Sequence, residues 1–278
     1  MKHILIPTDF SHNSWNALEY ALQFFRNISC TFYVLNIDEQ CNSDVADNSI
    51  LVKSKHKKVS VREKLNDLAY RIKNLTTNNL HQFIILEELG GFTDIIKKTV
   101  DDKKIDLIVM GTKGASGSET RIFGHNTSNV ITKVPCNVLV IPEKTIIKSP
   151  NKIAFPTDFN LFYNYPILNS ITEILELSSA SLEVLHMSQT KSKFTSSQII
   201  NKTYLLDYLK ELFSESHSFH NILGTDVKNS VINYIDENKI EMMTMLAKNI
   251  NLFQQLFFTN SIEQSSFHST IPLLVIHE

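Results

Sequence analysis

A chain of 278 residues, 42% hydrophobic and 20% charged, has the composition of a soluble globular protein and room for two domains of roughly 150 residues. The formal charge of −2 excludes the electrostatic footprint of a nucleic-acid binder, and the most basic run, Lys53 to Lys58, reads as a solvated helix face. Three cysteines without CxxC spacing (Cys30, Cys41, Cys136), an N-terminus that turns polar too soon for a signal peptide, and no apolar run near the ~18 residues of a span predict a cytoplasmic protein without a membrane partner.

In chain order, apolar runs predict strands near residues 2–7, 31–37, 82–88, 105–110 and 137–141. Helices are predicted between them near 13–27, 53–76, 92–102 and 126–133. The first rests on the spacing of Ala17, Leu18, Ala21, Leu22 and Phe25, with Asp9, Ser11 and Asn13 as cap candidates. The polar stretch Glu39 to Asn48 reads as a loop and a candidate lid. The alternation then begins again, with strands near 152–155, 182–187, 219–223, 241–246 and 273–276. Its helices fall near 161–178, 196–216, 227–238 and 251–267. Near-continuous apolar strands such as ILIP and DLIVM suit a parallel sheet covered on both faces.

The second series echoes the first. KHILIPTDF at 2–10 is matched by NKIAFPTDF at 151–159, KIDLIVM at 104–110 by KIEMMTM at 239–245, and VPCNVLVIPE at 134–143 by IPLLVIHE at 271–278. Three matches in the same order argue for a duplication. The expected fold is α/β: two tandem doubly wound five-stranded sandwiches, at residues 1–147 and 148–278.

In such a fold ligands bind beyond the carboxyl ends of the strands, where strand order reverses. If that order is 3-2-1-4-5, the crevice lies between the first and fourth strands of the half. The loops there are PTDFS at 7–11 and GTKGASGSETRIFGHNT at 111–127, which holds four of the chain's seven glycines. Glycine lets a ligand approach the backbone, and a helix opening at His125, Asn126 and Thr127 offers N–H groups and a positive dipole end to a phosphate. Lys113 and Arg121 would add charge. The loop is neither GxxxxGK[ST] nor GxGxxG, and a flexible Gly/Ser surface loop is the competing reading.

The spacing Gly111-x2-Gly114-x9-Gly124 resembles the ATP-binding signature of the universal stress protein family, and ILIPTDFS and VPCNVLVIP resemble that family's two ends. The resemblance covers the first half and, more weakly, the second, as in the tandem branch of the family, with its adenine nucleotide alpha hydrolase-like, Rossmann-like fold. It implies a site for ATP (or ADP/AMP), with Mg²⁺ as a candidate companion. Asp9 would bond the adenosine portion, Pro7 and Thr8 would shape its wall, and Ile37 would meet adenine through its backbone. Met110, Gly111 and Gly114 would line ribose and phosphates; Gly124, Asn126 and Thr127 would bind the phosphates. His125 departs from the family's Ser or Thr after the third glycine and could either bond phosphate or fill the pocket. In the second half Asp158 keeps the place of Asp9, but Leu246 and Asn249 stand where Gly111 and Gly114 were. Phe253, Leu256, Phe257 and Phe258 follow, which predicts a half without a nucleotide site.

His217 and His220 are spaced as two ligands on a helix would be, but a zinc site needs three or four, so no metal site is expected. No G-x-S-x-G nucleophile elbow occurs, and Ser116 and Ser118 read as loop formers or phosphate contacts. The resemblance implies an ATP-binding regulatory protein of the stress response, with a site in the N-terminal half only and an unidentified protein partner. The alternatives are a slow ATP hydrolase, for which no catalytic base is evident, and a ligand-free interaction scaffold. VLVIP at 138–142 and LLVIH at 273–277 would pair within the chain as a pseudo-dimer, and a homodimer of the whole is compatible with the sequence.

Overall fold

The computed structural model describes residues 1–39, 48–75, 78–112, 123–188, 194–223, 226–249, 252, 256 and 270–278. The first series of elements is β1 (Lys2–Pro7), α1 (His12–Phe24), β2 (Cys30–Asp38), α2 (Asn48–Leu75), β3 (His81–Leu89), α3 (Phe92–Lys103), β4 (Leu107–Gly111), α4 (His125–Lys133) and β5 (Asn137–Ile141). The second is β6 (Lys152–Thr157), α5 (Tyr165–Ser178), β7 (Ser181–Ser188), α6 (Ser196–Leu212), β8 (His217–Leu223), α7 (Val227–Asn238), β9 (Met242–Leu246) and β10 (Leu273–Ile276). The helix expected near 251–267 falls outside the described residues except at Leu252 and Leu256, both buried.

All ten strands join one sheet in the order β3-β2-β1-β4-β5-β10-β9-β6-β7-β8. Each series thus has the 3-2-1-4-5 order, and the second runs outward in mirror sequence. Every neighbouring pair is parallel except β5 and β10, which meet antiparallel with Leu274 opposite Leu139. The carboxyl ends of β1 to β4 therefore point to one edge of the sheet and those of β6 to β9 to the opposite edge.

Alternate residues of each strand face opposite sides, and both sides are apolar. Ile4, Ile6, Phe32, Val34 and Phe155 pack with α1, α2, α5 and α6, while Leu5, Leu35, Ile108, Met110 and Met243 pack with α3, α4 and α7. Burial on both sides is why the strands read as unbroken apolar runs rather than alternating ones. α1 begins at Ser11, whose side chain accepts from Ser14 N, and α6 opens with a capping box between Thr195 and Gln198.

At the seam His277 N donates to Asn137 Oδ1 at 2.8 Å, Asn137 Nδ2 donates to Ser170 Oγ at 3.0 Å, and Lys2 pairs with Glu173. Lys148 and Asn151, in the segment between β5 and β6, are held by Glu241, whose carboxylate also accepts Asn151 N.

Candidate functional site

The strand order reverses between β1, with β2 and α1 on one side of it, and β4, with β5 beyond. β1 runs through Pro7, and Thr8 N still donates to Leu35 O at 2.8 Å, so Pro7 and Thr8 form the buried floor of the β1 side. The chain then turns sharply. Phe10 has φ of 64°, a conformation uncommon for a side-chain-bearing residue. Thr8 Oγ1 stabilises the turn by accepting Phe10 N at 3.1 Å, and Asp9 Oδ1 accepts Ser11 N at 3.0 Å. Asp9 is left exposed at the rim. Ile37, at the end of β2, is partly buried. Its neighbour Asn36, unnoticed in the sequence, donates its amide to Thr8 O at 2.8 Å and fixes the two strand ends together. A lone Asn within the apolar run TFYVLNI was the available signal.

Across the crevice, Met110 is buried with its side chain among the α3 and α4 residues. Its side chain thus packs in the core. Gly111 lies against the first turn of α1. A Cβ there would lie 2.7 Å from Asn13 Nδ2 and 3.2 Å from Asn13 O, so the first turn of α1 requires glycine at this place. Asn13 in turn reaches Thr112 Oγ1 at 3.4 Å. Gly114, Lys113, Ser116, Ser118 and Arg121 lie outside the described residues.

The chain re-enters at Phe123 and caps α4 with Gly124. Gly124 N donates to Thr112 O at 2.8 Å, which brings the helix N-terminus beside the end of β4. Among the described residues no side chain caps this end. His125 and Asn126, the first two helical residues, are exposed. The His125 ring does not fill the crevice: Asn129 Nδ2 donates to its Nε2 at 2.8 Å, one turn along the helix. Thr127 is turned inward and buried, its hydroxyl donating to Gly111 O at 2.9 Å. That proton ties β4 to α4 rather than pointing at a phosphate. The backbone N–H groups of an α-helix's first turn have no partners within the helix and carry the positive end of its dipole. These residues therefore fit an anionic group set against α4, with Asp9 at the opposite rim.

The opposite edge of the sheet is built differently. β6 ends in the same turn, with Phe159 at φ 56° and Phe159 N donating to Thr157 Oγ1 at 3.1 Å. After β9, however, Asn249 is buried and donates to Asp158 Oδ1 at 3.0 Å. Leu246, Leu252 and Leu256 are all buried core residues, and Phe253, Phe257 and Phe258 lie outside the described residues. Here a side chain from the segment after β9 meets the carboxylate that follows β6.

His217 and His220 lie on β8, three residues apart on a strand and so on opposite faces. His217 Nδ1 meets Phe213 O and His220 Nε2 meets Ser218 Oγ, each at 2.8 Å. No group of three or more His, Cys, Asp or Glu residues suited to a metal occurs among the described residues. No described helix is long and apolar enough to cross a membrane.

Fold and crevice together define a doubly wound α/β protein with an exposed helix N-terminus at its switch point. A family model described as the universal stress protein family matches residues 1–142, and the chain belongs to that family. A universal stress protein of Methanocaldococcus jannaschii is 25% identical over 168 residues, covering 51% of this chain and 96% of that one. A relative in Staphylococcus aureus (strain USA300) is 30% identical over 144 residues, covering 50% and 83%. The crystal structure of a universal stress protein from Archaeoglobus fulgidus aligns with 99% of this chain and 96% of its own, with a TM-score of 0.66 at 17% identity. That likeness is one of fold.

Proposed function

We propose that this chain is a regulatory protein of the stress response that binds one adenine nucleotide, at the crevice between β1 and β4, and that residues 148–278 form a domain without a nucleotide site. The observation that carries the reading is the contrast between the two crevices. One presents an exposed, glycine-capped helix N-terminus, whereas the other has a buried Asn249 bonded to Asp158 and Leu246 in place of Gly111. The nucleotide itself is inferred from family membership, and the phosphates would sit against the first turn of α4. When bound, the nucleotide supplies negative charge and a purine face. The chain's own residues do the positioning: Asp9 bonds the adenosine portion, Asn36 holds Thr8 in place, and the α4 amides hold the phosphates. The exposed His125 ring, bonded to Asn129, supports this reading over the ligand-free one.

In this account residues 1–147 and 148–278 are two domains that form a pseudo-dimer across β5 and β10. Regulation would follow if a partner protein binds the loaded and empty states with different affinity. The test is nucleotide affinity of the intact chain by calorimetry, with and without Mg²⁺. Asp9→Ala is expected to weaken ATP binding about tenfold, a change of ~1.4 kcal/mol, while Asp158→Ala leaves it unchanged. Equal losses from both variants would refute the single site, and absence of binding by the unaltered chain would refute the nucleotide. Following ADP release in the same samples measures turnover.

A further inference from the structure

α6 lies on the sheet with Leu205 and Leu209 wholly buried. A helix in that position ordinarily turns polar residues to water. The first half of α6 instead turns Ile199, Ile200 and Tyr204 outward, 51%, 64% and 44% exposed. Ile200 and Tyr204, four residues apart, are neighbours on the helix surface. The segment before α5 adds to this face. α1 is capped at Ser11, directly after the Phe10 turn, whereas α5 is capped only at Asn164, well after the Phe159 turn. Between them Phe162 is 57% exposed, and its ring stacks on Tyr204 with centroids 5.3 Å apart and planes at 19°. Tyr165, the first residue of α5, is 77% exposed.

The patch carries no charge of its own. Lys202, in the same stretch of α6, turns to the Phe219 and Phe194 rings, its Nζ 3.8 and 4.8 Å from their centroids. Charged residues reach solvent further along the helix, where Asp207, Lys210 and Glu211 are exposed and form no ion pair among the described residues. Asp207 and Glu211 continue the outward side that Ile200 and Tyr204 occupy. The first turn of α6 holds no acidic residue.

The five exposed side chains offer on the order of 600 Å², at the top of the range for the largest apolar patch of a soluble monomer. Two copies face to face would bury about 1,200 Å², the size at which specific, stable interfaces begin. The face is also complementary to itself when reversed. An antiparallel second α6 sets the carboxylates of one copy beside the N-terminal, positive dipole end of the other. We propose that this face pairs two copies of the chain about a two-fold axis, α6 against α6, with Ile200 packed on Tyr204 of the partner subunit. Two-fold symmetry makes that contact twice. α6 connects β7 and β8, at the end of the sheet remote from the β5–β10 seam, so the seam within each chain is left as it is.

Sedimentation velocity of the intact chain, from about 1 to about 100 µM, spans the range in which a weak dimer dissociates and is expected to show a monomer–dimer equilibrium. Ile200→Asp and Tyr204→Lys, both at exposed positions, should each weaken the dimer about tenfold or more, with circular dichroism unchanged. The pairing sets position 200 against position 204. An equimolar mixture of I200D and Y204K therefore brings opposite charges together and should restore dimers that neither variant forms alone. A monomer at every concentration of the unaltered chain would overturn the proposal. So would survival of the dimer in either folded variant, which would move self-association to another surface, or a mixture no more associated than its components. No nucleotide enters the measurement, so its outcome is independent of the crevice between β1 and β4.

Discussion

Gly111 stands in a glycine-rich loop, yet its lack of a side chain serves packing. Its neighbour is the Asn13 side chain, with a would-be Cβ only 2.7 Å from Nδ2. Gly111→Ala is therefore expected to cost about 1–3 kcal/mol as an overpacked core site, and Asn13→Ala in the same chain should recover much of it. Chemical denaturation of the single and double variants measures that coupling. Thr244 presents the opposite case: it is wholly buried on β9 between β6 and β10, and its hydroxyl has no hydrogen-bond partner among the described residues. Replacing it with isosteric valine removes the burial cost of that group, so Thr244→Val should raise stability by about 1 kcal/mol. Unchanged or lower stability in denaturant would show that the hydroxyl has a partner.

At the scale of elements, the two ends of α4 and α6 can be separated by mutation because their caps do different things. α6 is closed by Thr195 and Gln198 through reciprocal bonds of 3.2 and 2.9 Å, and Thr195→Ala should cost about 1 kcal/mol without effect on nucleotide affinity. α4 has only Gly124 at its cap. A carboxylate in the first turn stabilises a helix but repels a phosphate placed there. His125→Glu is thus expected to hold or raise the melting temperature while weakening ATP about tenfold or more, the ~1.4 kcal/mol of one decade. A fall in both would point to simple structural damage, and a fall in neither would remove the phosphates from α4.

Across the whole molecule, one sheet carries both halves, and its antiparallel centre sets the two crevices at opposite edges. The seam responds to acid. Burial lowers the pKa of His277 below its ordinary value, against a smaller opposing effect of a backbone bond at Ile131. Its stabilising effect is complete above the unfolded-state pKa of about 6.5 and is lost as pH falls through the lower folded value. At Glu241 burial alone would raise the pKa, but the bonds from Lys148 and Asn151 outweigh it and hold the carboxyl below its ordinary value. That contribution persists above about pH 4.3 and disappears as pH falls below it. Stability should therefore decline in two stages, first below about pH 6.5 and again below about pH 4.3. His277→Gln should flatten the first stage and Glu241→Gln the second, as read from melting temperature against pH.

The sequence by itself determined the alternation of strands and helices, because both faces of the sheet's inner strands are covered and those strands must be apolar throughout. It determined the repeat, since PTDF recurs where the same turn recurs, and it pointed to the crevice through the topological rule for doubly wound sheets. Element ends were less legible: α5 starts at Tyr165 rather than near 161 because Asn164 caps it, and α6 stops at Leu212 rather than near 216. Only the tertiary structure decided what individual side chains do. Met110, Gly111 and Thr127 turn to packing and to the β4–α4 junction, His125 turns outward to Asn129, and Asn249 closes on Asp158 from 91 residues away. Such pairings depend on distances between segments remote in the chain. Periodicity and spacing record the faces that must be buried, and they carry no information on which polar groups meet once burial has brought them together.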